Sequence, residues 1–315
     1  MSKAPFVGFT KKKAMPFNLI APLPRCPQFS SLNGRERVLR RASMNTMKHA
    51  FHLVNVLGNI VPHAGRRFLL DRLGLGKILQ RASKGSIDQV KLPNGYDLFF
   101  NPMLHWNATN PKNHEPEVTA LLHRYLKPGA IFYDIGANIG LHSLIASKIV
   151  GPTGRVLAFE PGEINLKYFR RTLENRIPNV SLHEFAIGAA DEVRVFDLRG
   201  GAMSGKLVGP GENAVAPVSV QVRCIDSLIA EGYPRPDVIK IDIEGGEADA
   251  LQGAATTLQT HPVVICEMHD FAPDEVKRAM KSLTEAGYQV TRIPDRSPSD
   301  HSRSHHIVAV RGDGV

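Results

Sequence analysis

Between residues 116 and 311 the apolar positions alternate between two patterns: helical faces repeating about every 3.6 residues, and short unbroken runs suited to buried strands. Val118, Leu121, Leu122, Tyr125 and Leu126 share one helical face, and Pro128-Gly129 ends that helix. Runs at 131–134, 155–160, 180–186, 238–242 and 263–267 read as strands. Helices are predicted after four of them: 141–150, a segment with the face Leu166, Phe169 and Leu173, 247–258, and a segment carrying Val276, Ala279, Met280 and Leu283. The third strand is followed instead by short strands at 193–198 and 218–222 around a Gly-rich loop. Two last strands, 288–293 and 307–311, have no helix between them, which implies an antiparallel hairpin at one sheet edge. Strands alternating with helices predict an α/β fold with a doubly wound parallel sheet, whose sites lie at the carboxyl ends of the strands. Upstream, 86–100 alternates around Pro93-Asn94-Gly95, and Asn-Gly between apolar runs is a strong hairpin signal.

Charge changes the picture at the N-terminus. The net charge of the 315 residues is +9, but the first 100 hold 17 Lys and Arg against four acids, and the other 215 hold 22 against 26. A basic extension therefore precedes a mildly acidic globular part. Residues 1–43, rich in Pro, Lys and small residues, are expected to be disordered. They lack the apolar run and cleavage site of a secretory signal, while a transit peptide and a start at Met44 both stay open. Residues 44–84 read as basic helices whose apolar stretch, about 11 residues, is far short of the ~20 that span a bilayer. Such a segment suits the surface of an anionic membrane, nucleic acid, or packing on the catalytic part with basic faces in water. The expected units are thus 1–43, 44–84, a hairpin and connecting loop at 85–112, and a catalytic domain at 113–312. Cys26, Cys224 and Cys266 are too few and too scattered for a disulfide framework or a closed zinc site, so a reducing, cytoplasmic setting is expected.

Three stretches carry chemistry. Asp134-Ile135-Gly136-Ala137-Asn138-Ile139-Gly140 joins a strand to a helix, with glycines that let backbone approach a ligand closely. A dinucleotide fingerprint fails here, since Asn138 and Leu141 stand where glycines would be needed. The acid at the strand end suits an ammonium-bearing ligand better than phosphates. Glu160, twenty residues past Gly140 at the end of the second strand, is placed to accept the hydroxyls of a ribose. The third stretch, Lys240-Ile241-Asp242-Ile243-Glu244-Gly245-Gly246-Glu247, alternates acids with isoleucines at another strand end, so Asp242 and Glu244 are expected to point the same way. Helix-dipole complementation explains Glu247 well and Asp242 poorly.

These stretches, FYDIGANIGLHSLIASKIVGPTGRVLAFEP, FAIGAAD, VIKIDIEGGEADALQGA and VVICEMH in that order, resemble the successive motifs of the FkbM-type S-adenosylmethionine-dependent methyltransferases over about residues 113–312. The resemblance implies the class I methyltransferase fold, a Rossmann-like sheet of seven strands with the last antiparallel. It implies methyl transfer from S-adenosylmethionine, usually to a hydroxyl of a sugar, polyketide or similar small molecule. By the same resemblance, Asp134, Gly136, Asn138 and Gly140 would form the methionine side of the cofactor pocket. Glu160 would hold the ribose, Phe185 and Ala186 would border the adenine, Asp242 would lie near the sulfonium, and Glu115 would start a helix that caps the cofactor. His142 and the loop Gly201-Ala202-Met203-Ser204 depart from the family pattern, which leaves substrate choice open.

An alcohol acceptor must lose a proton, for which a positioned base is worth roughly 10²–10⁴-fold. His142, Asp242, Glu244 and His269 are the candidates. Asp242, Glu244, Glu267 and His269 would alternatively suit a hard metal ion, although no metal is called for by the motifs. His301, His305 and His306 are assigned to a solvated loop, and Trp106 with His105 to an acceptor pocket or to packing. The basic N-terminus keeps an RNA or DNA methyltransferase in play, but the Asn/Asp-Pro-Pro-aromatic motif of base-amine enzymes is replaced by Lys240-Ile241-Asp242-Ile243-Glu244. A non-catalytic binding module with this fold, and a dinucleotide oxidoreductase, complete the alternatives.

Overall fold

The computed structural model describes residues 87–101, 104–105, 114–198, 205–209, 211, 213–270, 272–294 and 304–312. All lie in the compact unit Gly74–Val315. The expectations for 1–43 and 44–84, for Trp106, for the loop 201–204 and for His301 fall outside the described residues.

Strands β1 (Asp88–Lys91) and β2 (Asp97–Phe100) form the expected antiparallel hairpin. Gly95 takes the left-handed conformation in its turn, and the Asn94 side chain donates to the Leu144 carbonyl at 3.0 Å. Helix α1 (Pro116–Tyr125) buries Val118, Leu121 and Leu122. The chain continues through β3 (Ile131–Ile135), α2 (Leu141–Val150), β4 (Arg155–Phe159), α3 (Glu163–Leu173) and β5 (Val180–His183). Then come β6 (Ala186–Ile187), β7 (Glu192–Asp197), β8 (Lys206–Leu207), β9 (Pro217–Arg223) and α4 (Ile225–Ala230). The last elements are β10 (Val238–Ile241), α5 (Glu247–Gln252), α6 (Ala255–Leu258), β11 (Val263–His269), α7 (Pro273–Glu285), β12 (Tyr288–Arg292) and β13 (Ser304–Arg311).

Seven strands form the main sheet in the order β12-β13-β11-β10-β3-β4-β5. All neighbours are parallel except β13, which runs antiparallel to both β11 and β12. Counted along the chain, the strands lie 3-2-1-4-5-7-6, the class I methyltransferase arrangement with its reversed last strand. The period of two sorts side chains onto two faces. Phe132, Val156, Ala158, Val238, Ile265 and Val308 pack with the hairpin, α1, α2 and α3, whereas Tyr133, Ile135, Leu157, Phe159, Ile239, Ile241, Val264 and Cys266 pack toward α4–α7. Among the described residues no helix is long and apolar enough to cross a membrane.

Three expectations are corrected. The strand expected at 180–186 ends at His183, because Ala186 and Ile187 pair with Val222 and Arg223 in a separate four-stranded sheet, β6-β9-β7-β8. The helix expected at 247–258 breaks at Gly253-Ala254. A Cβ on Gly253 would stand 2.1 Å from the Gly188 carbonyl oxygen, so the helix passes the second sheet at backbone contact. The final strand begins at Ser304 rather than 307, since its pairing with β11 extends to His269, and this moves His305 and His306 from a loop into the sheet.

Candidate active site

The order of the strands reverses at β3, which lies between β10 and β4, and this switch point is where open α/β sheets form their crevice. The glycine loop leaves β3 there. Gly136 has φ 78°, and a Cβ on it would lie 1.8 Å from the backbone oxygen of Asp242, so the loop rests directly on the segment after β10. Gly140, φ 92°, caps α2, and a Cβ there would meet the Phe169 ring at 2.3 Å. No side chain caps α2, so the N–H groups of its first turn are free of a side-chain acceptor.

Asp134 is completely buried. Its Oδ2 accepts from the Ser143 hydroxyl at 2.5 Å, its Oδ1 lies 3.9 Å from Lys240 Nζ, and Oδ1 has no hydrogen-bond partner. Burial pushes its carboxyl pKa up, against the pull of Lys240 and Ser143. Glu160 is also buried, and three donors fix it: Gly162 N and Asn165 Nδ2 on Oε1 at 2.8 and 3.2 Å, and Asn138 N on Oε2 at 2.9 Å. Burial raises its pKa to about 7 despite these bonds. Asn165 is held in turn by His105, whose Nε2 is 3.1 Å from Asn165 Oδ1 while its Nδ1 accepts from Asn101 N at 3.0 Å. His105 therefore braces Glu160 rather than lining an acceptor pocket. Phe185 packs on Phe159 and His183 at ring separations of 5.6 and 5.7 Å, and Ala186 is buried at the start of β6. Ala186 thus borders this corner from the second sheet and not from the end of the third strand.

On the α1 side of the sheet, cross-strand register assembles a polar row. Lys240 is paired with Asp134 on β3 and Ile265 on β11, and Glu267 with His306 on β13. Lys240 Nζ donates to Asp242 Oδ2 at 2.9 Å. Burial works against the charge on Lys240, but Asp242 and Asp134 outweigh it and raise its pKa. Burial alone would raise the Asp242 carboxyl, yet Lys240 prevails and holds it ionised. His269 Nδ1 lies 2.9 Å from Glu247 Oε1, and its Nε2 is 3.4 Å from Glu244 Oε2 and 3.9 Å from Glu267 Oε2. Burial disfavours the imidazolium, but Glu247, Glu244 and Asp242 together raise its pKa. Glu244 takes a left-handed φ of 60°, and its carboxyl is pushed to about 7, chiefly by burial.

Helix α1 brings Glu115 over this row. Its Oε2 is 3.8 Å from His142 Nε2, and neither atom has a hydrogen-bond partner. His142 is buried on the first turn of α2 and stacks on His114 with centroids 6.3 Å apart. Burial, with Lys240 next, lowers its pKa and keeps the ring neutral. Asp242, Glu267 and His269 bring ligand atoms within 4.8 Å of one another, as do Glu115, Glu267 and His306, and Glu244 belongs to neither group.

The structure therefore gathers Glu115, Asp134, Gly136, His142, Lys240, Asp242, Glu244, Glu267 and His269 around the ends of β3, β10 and β11, with Glu160, Asn138 and Phe185 around the end of β4. Sequence reasoning passed over Lys240 and His306. A lysine within a run of buried strand residues was the available signal for the first, and nothing local marked the second.

The domain model described as Methyltransferase FkbM domain matches residues 134–290. Hexuronic acid methyltransferase AglP of Haloferax volcanii is 31% identical over 178 residues, covering 55% of this chain and 69% of AglP. The 31-O-demethyl-FK506 methyltransferase FkbM of Streptomyces tacrolimicus is 26% identical over 222 residues, covering 59% of this chain and 82% of FkbM. Among solved structures, Methyltransferase FkbM from Methylobacillus flagellatus KT is 19% identical with a TM-score of 0.43, covering 61% of this chain and 50% of that one. The chain belongs to the FkbM family of methyltransferases.

Proposed function

We propose that this chain transfers a methyl group from S-adenosylmethionine to a hydroxyl oxygen of a small-molecule acceptor, with sugars the leading class. The observation that carries the reading is the buried Asp134, with its orphan oxygen, at the start of a loop whose Gly136 and Gly140 have no room for a Cβ. An ammonium-bearing ligand approaching along that loop would satisfy it. When bound, S-adenosylmethionine supplies an electrophilic methyl group on a cationic sulfur.

Asp134, Gly136, Asn138 and Gly140 would take the methionine portion, with Asp242 near the sulfonium and Glu115 covering it. A carboxylate offers about four acceptor positions. Three on Glu160 are taken, which leaves one on Oε2 for a ribose hydroxyl. Phe185 and Ala186 would border the adenine. Of the candidate bases, Asp242 is engaged by Lys240 and His269 lies against Glu247 and Glu244, whereas His142 presents a buried Nε2 free of any hydrogen-bond partner. His142 Nε2 is the position we assign to receive the acceptor proton, and holding acceptor and methyl in line would supply much of the acceleration. The hydroxyl acceptor draws support from the names of the relatives, a hexuronic acid methyltransferase and a 31-O-demethyl-FK506 methyltransferase. A cytoplasmic protein that touches anionic membrane through its basic N-terminal segment fits the charge distribution.

Calorimetric titration with S-adenosylmethionine tests the reading. The full chain should bind at micromolar Kd, and Asp134→Asn and Glu160→Ala should each weaken binding at least tenfold. A folded chain that binds no cofactor overturns it.

A further inference from the structure

We propose that Glu115, Glu267 and His306 form a binding site for a first-row divalent metal ion, beside the cofactor pocket and on the acceptor side of the sheet. The three come from separate elements. Glu267 sits on β11, His306 is its cross-strand partner on β13, and Glu115 caps α1 in a left-handed backbone conformation. One ligand atom from each lies within 4.8 Å of the other two.

Two observations beyond the proximity point to a cation. First, two of the three residues keep an unspent ligand atom in a place where water does not reach it. His306 is 93% buried with no hydrogen-bond partner on Nε2, its Nδ1 lying 3.8 Å from Glu117 Oε1, and Glu115 Oε2 is likewise buried and unpartnered. Second, carboxyl groups crowd together here with no lysine or arginine of their own. Lys240 serves Asp242 and Asp134, and among the described residues no lysine or arginine lies within ion-pair distance of Glu115, Glu117 or Glu267. Glu267 lies against the carboxylates of Asp242 and Glu115, is hydrogen-bonded to Asp242, and accepts from the Ser304 hydroxyl at 2.6 Å on Oε1.

The neighbouring group Asp242, Glu267 and His269 shares Glu267, but its other members are already satisfied, Asp242 by Lys240 and His269 by Glu247. The ion therefore belongs between Glu115, Glu267 and His306. Two carboxylates and one imidazole suit Mn²⁺, Fe²⁺ or Zn²⁺ better than Ca²⁺ or Mg²⁺, which favour oxygen ligands alone. Three protein ligands leave positions open. If the methyltransferase reading holds, those positions would take oxygens of the acceptor and acidify its hydroxyl; ion binding itself does not depend on that reading.

Purified full-length chain, stripped with chelator, would be titrated with Mn²⁺ by electron paramagnetic resonance, which follows the loss of the free aqueous signal, and with Zn²⁺ and Mg²⁺ by calorimetry. We expect one ion per chain, a Kd for Mn²⁺ at least tenfold below that for Mg²⁺, and a raised thermal midpoint on binding. Glu115→Gln and His306→Gln should each weaken Mn²⁺ at least tenfold, while His269→Gln leaves it within twofold. Glu115→Gln keeps the test decisive if the sheet variant does not fold. No binding by the folded chain, or binding lost in His269→Gln and kept in His306→Gln, overturns the proposal. Cofactor titration of the same samples separates this failure from failure of the methyltransferase reading.

Discussion

Glu160 shows how much a single side chain can carry at this site. Its carboxyl would ordinarily ionise near pH 4.5, and burial lifts it to about 7 in the free chain. The raised value means that the stability this group contributes is full below pH 4.5 and is lost as pH rises through about 7, where the native state holds the charge against its preference. Ribose binding needs the opposite form, because a protonated Glu160 loses the acceptor position left on Oε2. Affinity for S-adenosylmethionine should therefore be flat above pH 7 and fall by up to tenfold per unit below it. Calorimetry at pH 5.5, 6.5 and 7.5 checks this, and Glu160→Gln should flatten the profile. A residue-level reading of the sequence located Glu160 and its proposed role from spacing alone. Of the three N–H donors that fix it, Gly162 and Asn165 are close by in the chain, but Asn138 and the His105 brace behind Asn165 come from two other parts of it.

At the scale of elements, periodicity locates the strands of the main sheet within a few residues because each is a short apolar run between turn signals. It fails where an element changes partner. The chain leaves β5 at His183 and re-enters a strand at Ala186 in another sheet, and no local pattern marks the exchange. The break between α5 and α6 has the same origin. Gly253 has an ordinary helical φ of −71°, so its role is space, with the Gly188 carbonyl where a Cβ would stand. Gly253→Ala should lower stability by about 1–3 kcal/mol through overpacking. Urea denaturation checks it, with a lower midpoint and an unchanged slope expected. A midpoint equal to that of the parent chain would show that the helix and the second sheet can part at no cost.

The whole molecule combines a basic first hundred residues with a mildly acidic remainder. If the catalytic part stands alone, a chain starting at residue 85 should bind S-adenosylmethionine within twofold of the full chain. The full chain should be retained on anionic vesicles at low salt and released at high salt, and the shortened chain should not be retained. Calorimetry and vesicle co-sedimentation of both chains decide this. The sequence by itself determined the α/β class, the glycine loop, the acids at the strand ends and the family, since each is written in residues close together along the chain. Only the tertiary structure decided that Lys240 lies between Asp134 and Asp242, that His142 is buried against Glu115, and that His306 leaves its expected loop to face Glu267. Those juxtapositions are set by cross-strand register and by the reversed last strand. Register depends on hydrogen bonds between segments as far apart as Phe132 and Val238, which no local hydrophobic period encodes.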